Sequence, residues 1–104
     1  MDLKALSQAN AERLATTAVY EKCRTEWSLA DWSNALAGET GELCNLVKKI
    51  RRGDVIDAKE LGKELADIVI YADLLASQMG LDLSECVQQK FNEVSDRVGS
   101  QIKL

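Results

Sequence analysis

Glu39 and Glu42 stand three residues apart, and so do Glu64 and Asp67. At about 100° of rotation per residue, that step puts two helical side chains about 60° apart on one face. Glu39 and Glu42 share the stripe of Leu36, Leu43 and Leu46, while Glu64 and Asp67 are flanked by Leu61, Leu65 and Ile68. Asp67 is further surrounded by Ala66, Val69 and Ile70. Like charges at this spacing repel, and carboxylates beside a core lose hydration, so something cationic has to compensate. An all-oxygen set without imidazole or thiolate suits the hard cations Mg²⁺ and Mn²⁺. Di-iron bundles use Glu-x-x-His, and calcium loops of the EF-hand type need a D-x-D-x-D-G turn. The chain has no histidine and no such turn. Magnesium keeps waters and shares its shell with substrate phosphates, which points to a phosphorylated substrate. The plainer reading is that these acids border a core and snorkel into water. Two matched pairs on two helices fit to pack together favour the site.

Gly38 and Gly41 alternate with the first acids in Gly38-Glu39-Thr40-Gly41-Glu42. Each costs about 1 kcal/mol relative to alanine inside a helix. Close helix–helix packing accounts for them, and room for a ligand or metal near the backbone is the functional counterpart.

The elements that position the acids follow from caps and periodicity. A first helix is expected from Leu3 to Cys23, with untidy apolar spacing. Ser28 with Asp31 three residues on forms an N-cap and N3 acid, and Trp27 and Trp32 occupy the two positions of a hydrophobic staple. From there Leu29, Trp32, Leu36, Leu43, Leu46, Val47 and Ile50 keep helical spacing until Gly53. Asp57 with Glu60 caps a third helix that carries Leu61, Leu65, Ile68, Ala72, Leu75 and Met79 on one face and stops at Gly80. The run Ile68-Val69-Ile70-Tyr71 looks strand-like but lies inside a longer 3.6-residue pattern, and helix wins on length. Asp82 or Ser84 opens the last helix, which ends near Gly99 with Val87, Phe91, Val94 and Val98 facing inward. Four helices with short loops, no repeat and no linker predict an all-α four-helix bundle.

Composition bounds the rest. The 104 residues suit one compact domain, 1–104, and the 46% hydrophobic share is too high for a disordered tail. A net charge of −4 argues against a duplex nucleic-acid binder. Without histidine there is no Ser-His-Asp triad, no His-ligated zinc and no H-E-x-x-H protease. Cys23, Cys44 and Cys86 are odd in number and form no CxxC pair, so they read as buried thiols in a reducing compartment. The N-terminus lacks the apolar run of a signal peptide, and the stretch Leu65 to Met79 is interrupted by Asp67 and Asp73 and too short to span a bilayer. A soluble, cytoplasmic protein is expected.

Glu39-x-x-Glu42, twenty-one intervening residues and Glu64-x-x-Asp67 together resemble the signature of the all-α nucleoside triphosphate pyrophosphohydrolases of the MazG-like group. Trp32, the Gly41-Glu42-Leu43 context, Lys90-Phe91-Asn92 and Arg97 resemble it too, so the similarity runs from about Trp27 to Val98. The resemblance implies Mg²⁺-dependent cleavage of a nucleoside triphosphate between its α and β phosphates, with Mn²⁺ as a possible substitute and nucleotide-pool house-cleaning as the role. It implies that Glu39, Glu42, Glu64 and Asp67 ligate the metal, and that one acid or the metal centre activates the attacking water. It further implies that Lys90, Asn92 and Arg97 contact the phosphates or orient the acids, and that Tyr71 and the tryptophans Trp27 and Trp32 border the base or sugar. Dimers or dimers of dimers, with sites completed across the interface, are also implied. Nothing in the sequence selects a nucleobase.

Each of these residues also has a structural reading. Lys90 and Arg97 complement the C-terminal half of the last helix, as Lys48, Lys49, Arg51 and Arg52 complement theirs. Trp27 and Trp32 serve as staple and core, and Tyr71 as a core aromatic. The alternative function is a non-catalytic helical interaction or regulatory module, which would have no use for four inward acids. A metal-buffering or redox carboxylate protein would use the acids but should show histidine ligands. A bundle of this length buries only about two-thirds of its unfolded surface. Inward carboxylates weaken its core further, so a homodimer or homotetramer through helix faces is expected.

Overall fold

Helix starts in this protein are set by short side chains that accept from the first free backbone N–H groups. In the computed structural model, which describes residues 1–104, the order is α1 (Leu3–Thr16), a 3₁₀ turn (Ala18–Tyr20), α2 (Glu21–Glu26), α3 (Leu29–Arg51), α4 (Ala58–Gln78) and α5 (Leu83–Val98). The chain is all-helical and has no strand. The Ser28 hydroxyl accepts from Asp31 N–H at 3.3 Å while the Asp31 carboxylate accepts from Ser28 N–H at 2.9 Å, a complete capping box. Trp27 and Trp32 meet edge to face with ring centroids 4.7 Å apart, closing the staple. Asp82, not Ser84, caps α5 by accepting from Glu85 N–H at 3.2 Å. Asp57 caps α4 through Lys59 N–H at 2.9 Å, and Glu60 pairs with Lys63 at 3.0 Å instead of turning back to the cap. Gly53, at φ 101°, supplies the left-handed backbone that ends α3.

The expected continuous helix from Leu3 to Cys23 is broken. Thr17 is extended (φ −97°, ψ 120°), and the chain restarts through the 3₁₀ turn into α2. The cause is local: Thr16, Thr17, Val19 and Tyr20 are poor helix formers, and the Thr16 hydroxyl donates to the Glu12 carbonyl at 2.7 Å. The break brings Tyr20, Cys23 and Trp27 alongside α3 and α4.

α3 and α4 form an αα-hairpin across the 52–57 loop and make the most extensive helix pairing, with α1 against α4 and α5 against α1 and α4. α1 is tied to α4 by a buried polar network. Asp73 and Asn10 are only 2% and 3% exposed. The Ser7 hydroxyl donates to Asp73 Oδ1, and Asn10 Nδ2 donates to Asp73 Oδ2 at 2.9 Å and to the Ile70 carbonyl at 3.3 Å. Ser7 meets Asp73 while Asn10 also meets Ile70, so α1 runs antiparallel to α4. Asp73→Ala leaves the buried Asn10 amide short of an acceptor and is expected to lower unfolding free energy by about 1–3 kcal/mol. Urea denaturation measures this, and an unchanged midpoint would show that the network adds nothing.

A single chain leaves much of its apolar surface uncovered. Only five of 104 residues are fully buried, and the Cα radius of gyration is 16.3 Å, against about 13 Å for a compact chain of about 100 residues. The expected inward stripe of α5 is the clearest departure: Val87 and Phe91 are each 41% exposed and Val98 is 67% exposed, with Val94 alone half-buried. Leu65 and Met79, on the expected inner face of α4, are also exposed. All three cysteines are free thiols, but none is fully buried and Cys44 is exposed. No helix is long and apolar enough to cross a membrane.

Candidate metal centre and its cavity

The three-residue spacings on α3 and α4 point the acids across the hairpin at each other. One carboxylate oxygen from each of Glu39, Glu64 and Asp67 lies within 4.8 Å of the others. Glu42 is exposed and outside that trio, but near enough for its charge to act on both Glu39 and Glu64. No lysine or arginine is paired with any of the four. Burial, then the Glu42, Asp67 and Glu64 charges, raise the Glu39 pKa. Burial, then the neighbouring Glu42, Asp67 and Glu60 carboxyls, raise that of Glu64. Glu39 Oε2 and Glu64 Oε2 are buried with no hydrogen-bond partner. Orphaned, mutually repelling oxygens of hard-donor type are what a divalent cation satisfies, so the residues fit such an ion.

The raised values carry a stability consequence. An acid whose pKa is higher folded than unfolded binds its proton more tightly when folded, so the metal-free fold loses stability as pH rises through that folded pKa. Glu64→Gln removes the repelling charge, and the metal-free variant is expected to melt above the parent at pH 7. The gap is expected to close below the ordinary carboxyl range, where the parent is protonated too. Scanning calorimetry in chelator checks this, and a gap that widens on acidification contradicts it.

Beside the acids is a cavity of about 310 Å³, which has Glu39 and Asp67 in its wall. Trp32, Tyr71, Trp27 and Tyr20 supply its aromatic surface, and Ile70, Leu74 and Leu14 its aliphatic surface. Burial and the nearby Glu39 charge raise the Tyr71 pKa, so its hydroxyl keeps its proton. Trp32 is 2% exposed and its Nε1–H has no partner. The sequence-level candidates Glu39, Glu42, Glu64, Asp67, Trp32 and Tyr71 are thus brought together.

Lys90, Asn92 and Arg97 are not brought to this cavity within one chain. Lys90 pairs with Glu93 at 2.7 Å, and Arg97 is exposed on the last turn of α5. Asn92 binds the chain's last residues: Leu104 N–H donates to Asn92 Oδ1 at 2.8 Å, and Asn92 Nδ2 donates to the Leu104 carbonyl at 3.2 Å. Gly38 and Gly41 also need a different explanation, because a Cβ at either meets nothing within 4 Å. Close packing between helices of one chain is not their reason.

Asn10, Arg13, Tyr20 and Cys23 also line the cavity, and sequence reasoning did not place them there. α1 shows no strong apolar periodicity, and the turn that delivers Tyr20 and Cys23 lies within the stretch Leu3 to Cys23 that the sequence predicts as one helix. The one available signal was Asn10 with Arg13 three residues on, a polar pair on one helix face.

Residues 28–99 match the family described as the MazG nucleotide pyrophosphohydrolase domain. The chain is also similar to the Gene 37 protein of Mycobacterium phage L5, at 35% identity over 89 residues, covering 78% of each chain. No solved structure matches it.

Proposed function

The chain belongs to the MazG nucleotide pyrophosphohydrolase domain family, and from that membership we propose that it hydrolyses nucleoside triphosphates, (d)NTP, to the monophosphate and pyrophosphate in a Mg²⁺-dependent reaction. Mn²⁺ serves as a substitute, and the role is nucleotide-pool house-cleaning in the cytoplasm. The observation that carries this reading is the trio of Glu39, Glu64 and Asp67, in which Glu39 and Glu64 each have an unpartnered buried oxygen and Glu39 and Asp67 share the cavity wall.

Glu39, Glu42, Glu64 and Asp67 would hold the cation, which when bound would supply positive charge at phosphate oxygens and acidify a water. One of the four carboxylates takes the proton from the water that attacks the α-phosphorus. The α–β anhydride breaks and pyrophosphate leaves. Trp32 and Tyr71 wall the nucleoside, excluding water from it. Lys90, Asn92 and Arg97 contact the phosphates and offset the charge on the departing pyrophosphate. Because α5 keeps them away from the cavity of their own chain, they act on that of a second copy. The uncovered stripe of Val87, Phe91 and Val98 supports docking of α5 on that copy, as a homodimer or homotetramer in which a four-helix bundle is completed between chains. Residues 1–104 act as one catalytic domain, and a net charge of −4 fits a nucleotide substrate better than duplex nucleic acid.

A panel of NTPs and dNTPs assayed with Mg²⁺ tests the proposal. Monophosphate and pyrophosphate are expected in equal amounts, with the reaction stopped by chelator and restored by Mn²⁺. No pyrophosphate from any member of the panel would rule the activity out.

A further inference from the structure

The polar groups of the cavity outside the acid cluster are mismatched in a way that selects a ligand. Trp32 lines the cavity, its buried indole N–H has no partner in the chain, and an indole can only donate. Arg13 contributes a guanidinium, again donors only, which forms no ion pair with Glu39 or Asp67 although all three line the same cavity. Arg13 Nη2 instead donates to Asn10 Oδ1 at 3.4 Å. Asn10 cannot turn its amide to offer an acceptor elsewhere, because Nδ2 is committed to Asp73 at 2.9 Å and to the Ile70 carbonyl. That fixes its oxygen toward Arg13. The Asp73–Asn10–Arg13 chain therefore holds a cationic donor on the α1 wall, at the level of Ile70 on α4 and displaced from Asp67 by about one helical turn, near 5 Å along the axis. The Tyr71 hydroxyl, also in the wall, can donate or accept.

Away from the acids, donor-only groups in a cavity with aromatic walls at the small end of ligand-pocket volumes fit a flat group whose edge carries oxo acceptors. We propose that Arg13 and Trp32 make this site selective for oxo-bearing bases, hypoxanthine or guanine over adenine and uracil or thymine over cytosine. Arg13 donates to the base edge, and Asn10 and Asp73 act as positioning residues behind it. Against an amino base the N–H aimed at the exocyclic position meets a second donor and stays unpaired there, which is where discrimination arises. The proposal rests on the reading that the acid site hydrolyses nucleoside triphosphates.

ITP and ATP differ by an oxo for an amino group at the six-position, with N1 protonated in the oxo base, and UTP and CTP differ likewise at the four-position and N3. The wild-type protein is expected to favour the oxo member of each pair in kcat/KM by about tenfold or more. In Arg13→Gln the preference is expected to fall toward one, and Arg13→Lys, which keeps charge but loses the planar fork, is expected to fall between. Arg13 is exposed on α1, so these variants are expected to fold, and Trp32→Phe adds an independent loss of one donor. Equal turnover of both members by the wild type overturns the proposal. So does an Arg13→Gln variant that loses activity on all four substrates equally, which would mark an arginine serving the phosphates. Absence of turnover with every triphosphate would instead remove the hydrolytic reading beneath it.

Discussion

Glu64→Gln and Asp67→Asn are each expected to lower kcat/KM for triphosphate hydrolysis by more than about 100-fold, the upper cost of losing a group that merely orients a metal ligand. Both residues are in the trio whose carboxylates lie within 4.8 Å of one another, so each amide replaces an anionic donor by a neutral one. Folding is not the cause of the loss, because removing a like charge relieves the repulsion that raises the Glu39 and Glu64 pKa values. The same outcome is expected for Glu39→Gln. Glu42→Gln tests the most exposed of the four. Steady-state kinetics with melting curves in Mg²⁺ and in chelator separates the effects. The parent is expected to gain thermal stability from the ion and the variants to gain little. A variant with full activity takes its residue out of the site.

Phe91→Glu is expected to convert the assembly to monomers and to abolish activity, although Phe91 does not line the cavity of its own chain. Phe91 sits with Val87 four residues before it and Val98 seven after it, on an α5 stripe that one chain leaves open. A glutamate there puts a charge into the contact that would cover the stripe, at a cost of several kcal/mol if it stays unpaired. Loss of that contact also withdraws Lys90 and Arg97 from the neighbouring site. Sedimentation measures the mass and pyrophosphate release the activity. A wild-type chain that is already a compact, active monomer at micromolar concentration would contradict the shared site, and so would a monomeric Phe91→Glu that keeps full activity.

Much of the site was legible because its signals are local. The Ser28–Asp31 capping box sets the start of α3 and the Asp57 cap that of α4, and the acids' place beside the apolar residues of each helix directs Glu39 toward Glu64 and Asp67. The break at Thr17 was less legible, since four weak helix formers lower helix propensity without marking where the chain turns, and the turn puts Tyr20 and Cys23 in a cavity wall they share with residues of α4. Arg13 escaped notice because its position depends on Asn10, and Asn10 depends on Asp73, sixty-three residues later. The apolar stripe of α5 has the right period for a core helix, but periodicity cannot tell a face covered by its own chain from one left for another. Asn92 shows the converse, for its tie to Leu104 brings together two polar groups that have no periodic relation.

Hydrolysis in ¹⁸O-labelled water tests most directly whether these acids serve attack at the α-phosphorus. With Mg²⁺ and whichever triphosphate is turned over fastest, the label is expected in the nucleoside monophosphate, with unlabelled pyrophosphate beside it. Label in orthophosphate, or a nucleoside diphosphate product, would mean attack at the terminal phosphate and would contradict the assigned reaction even if the metal centre stood.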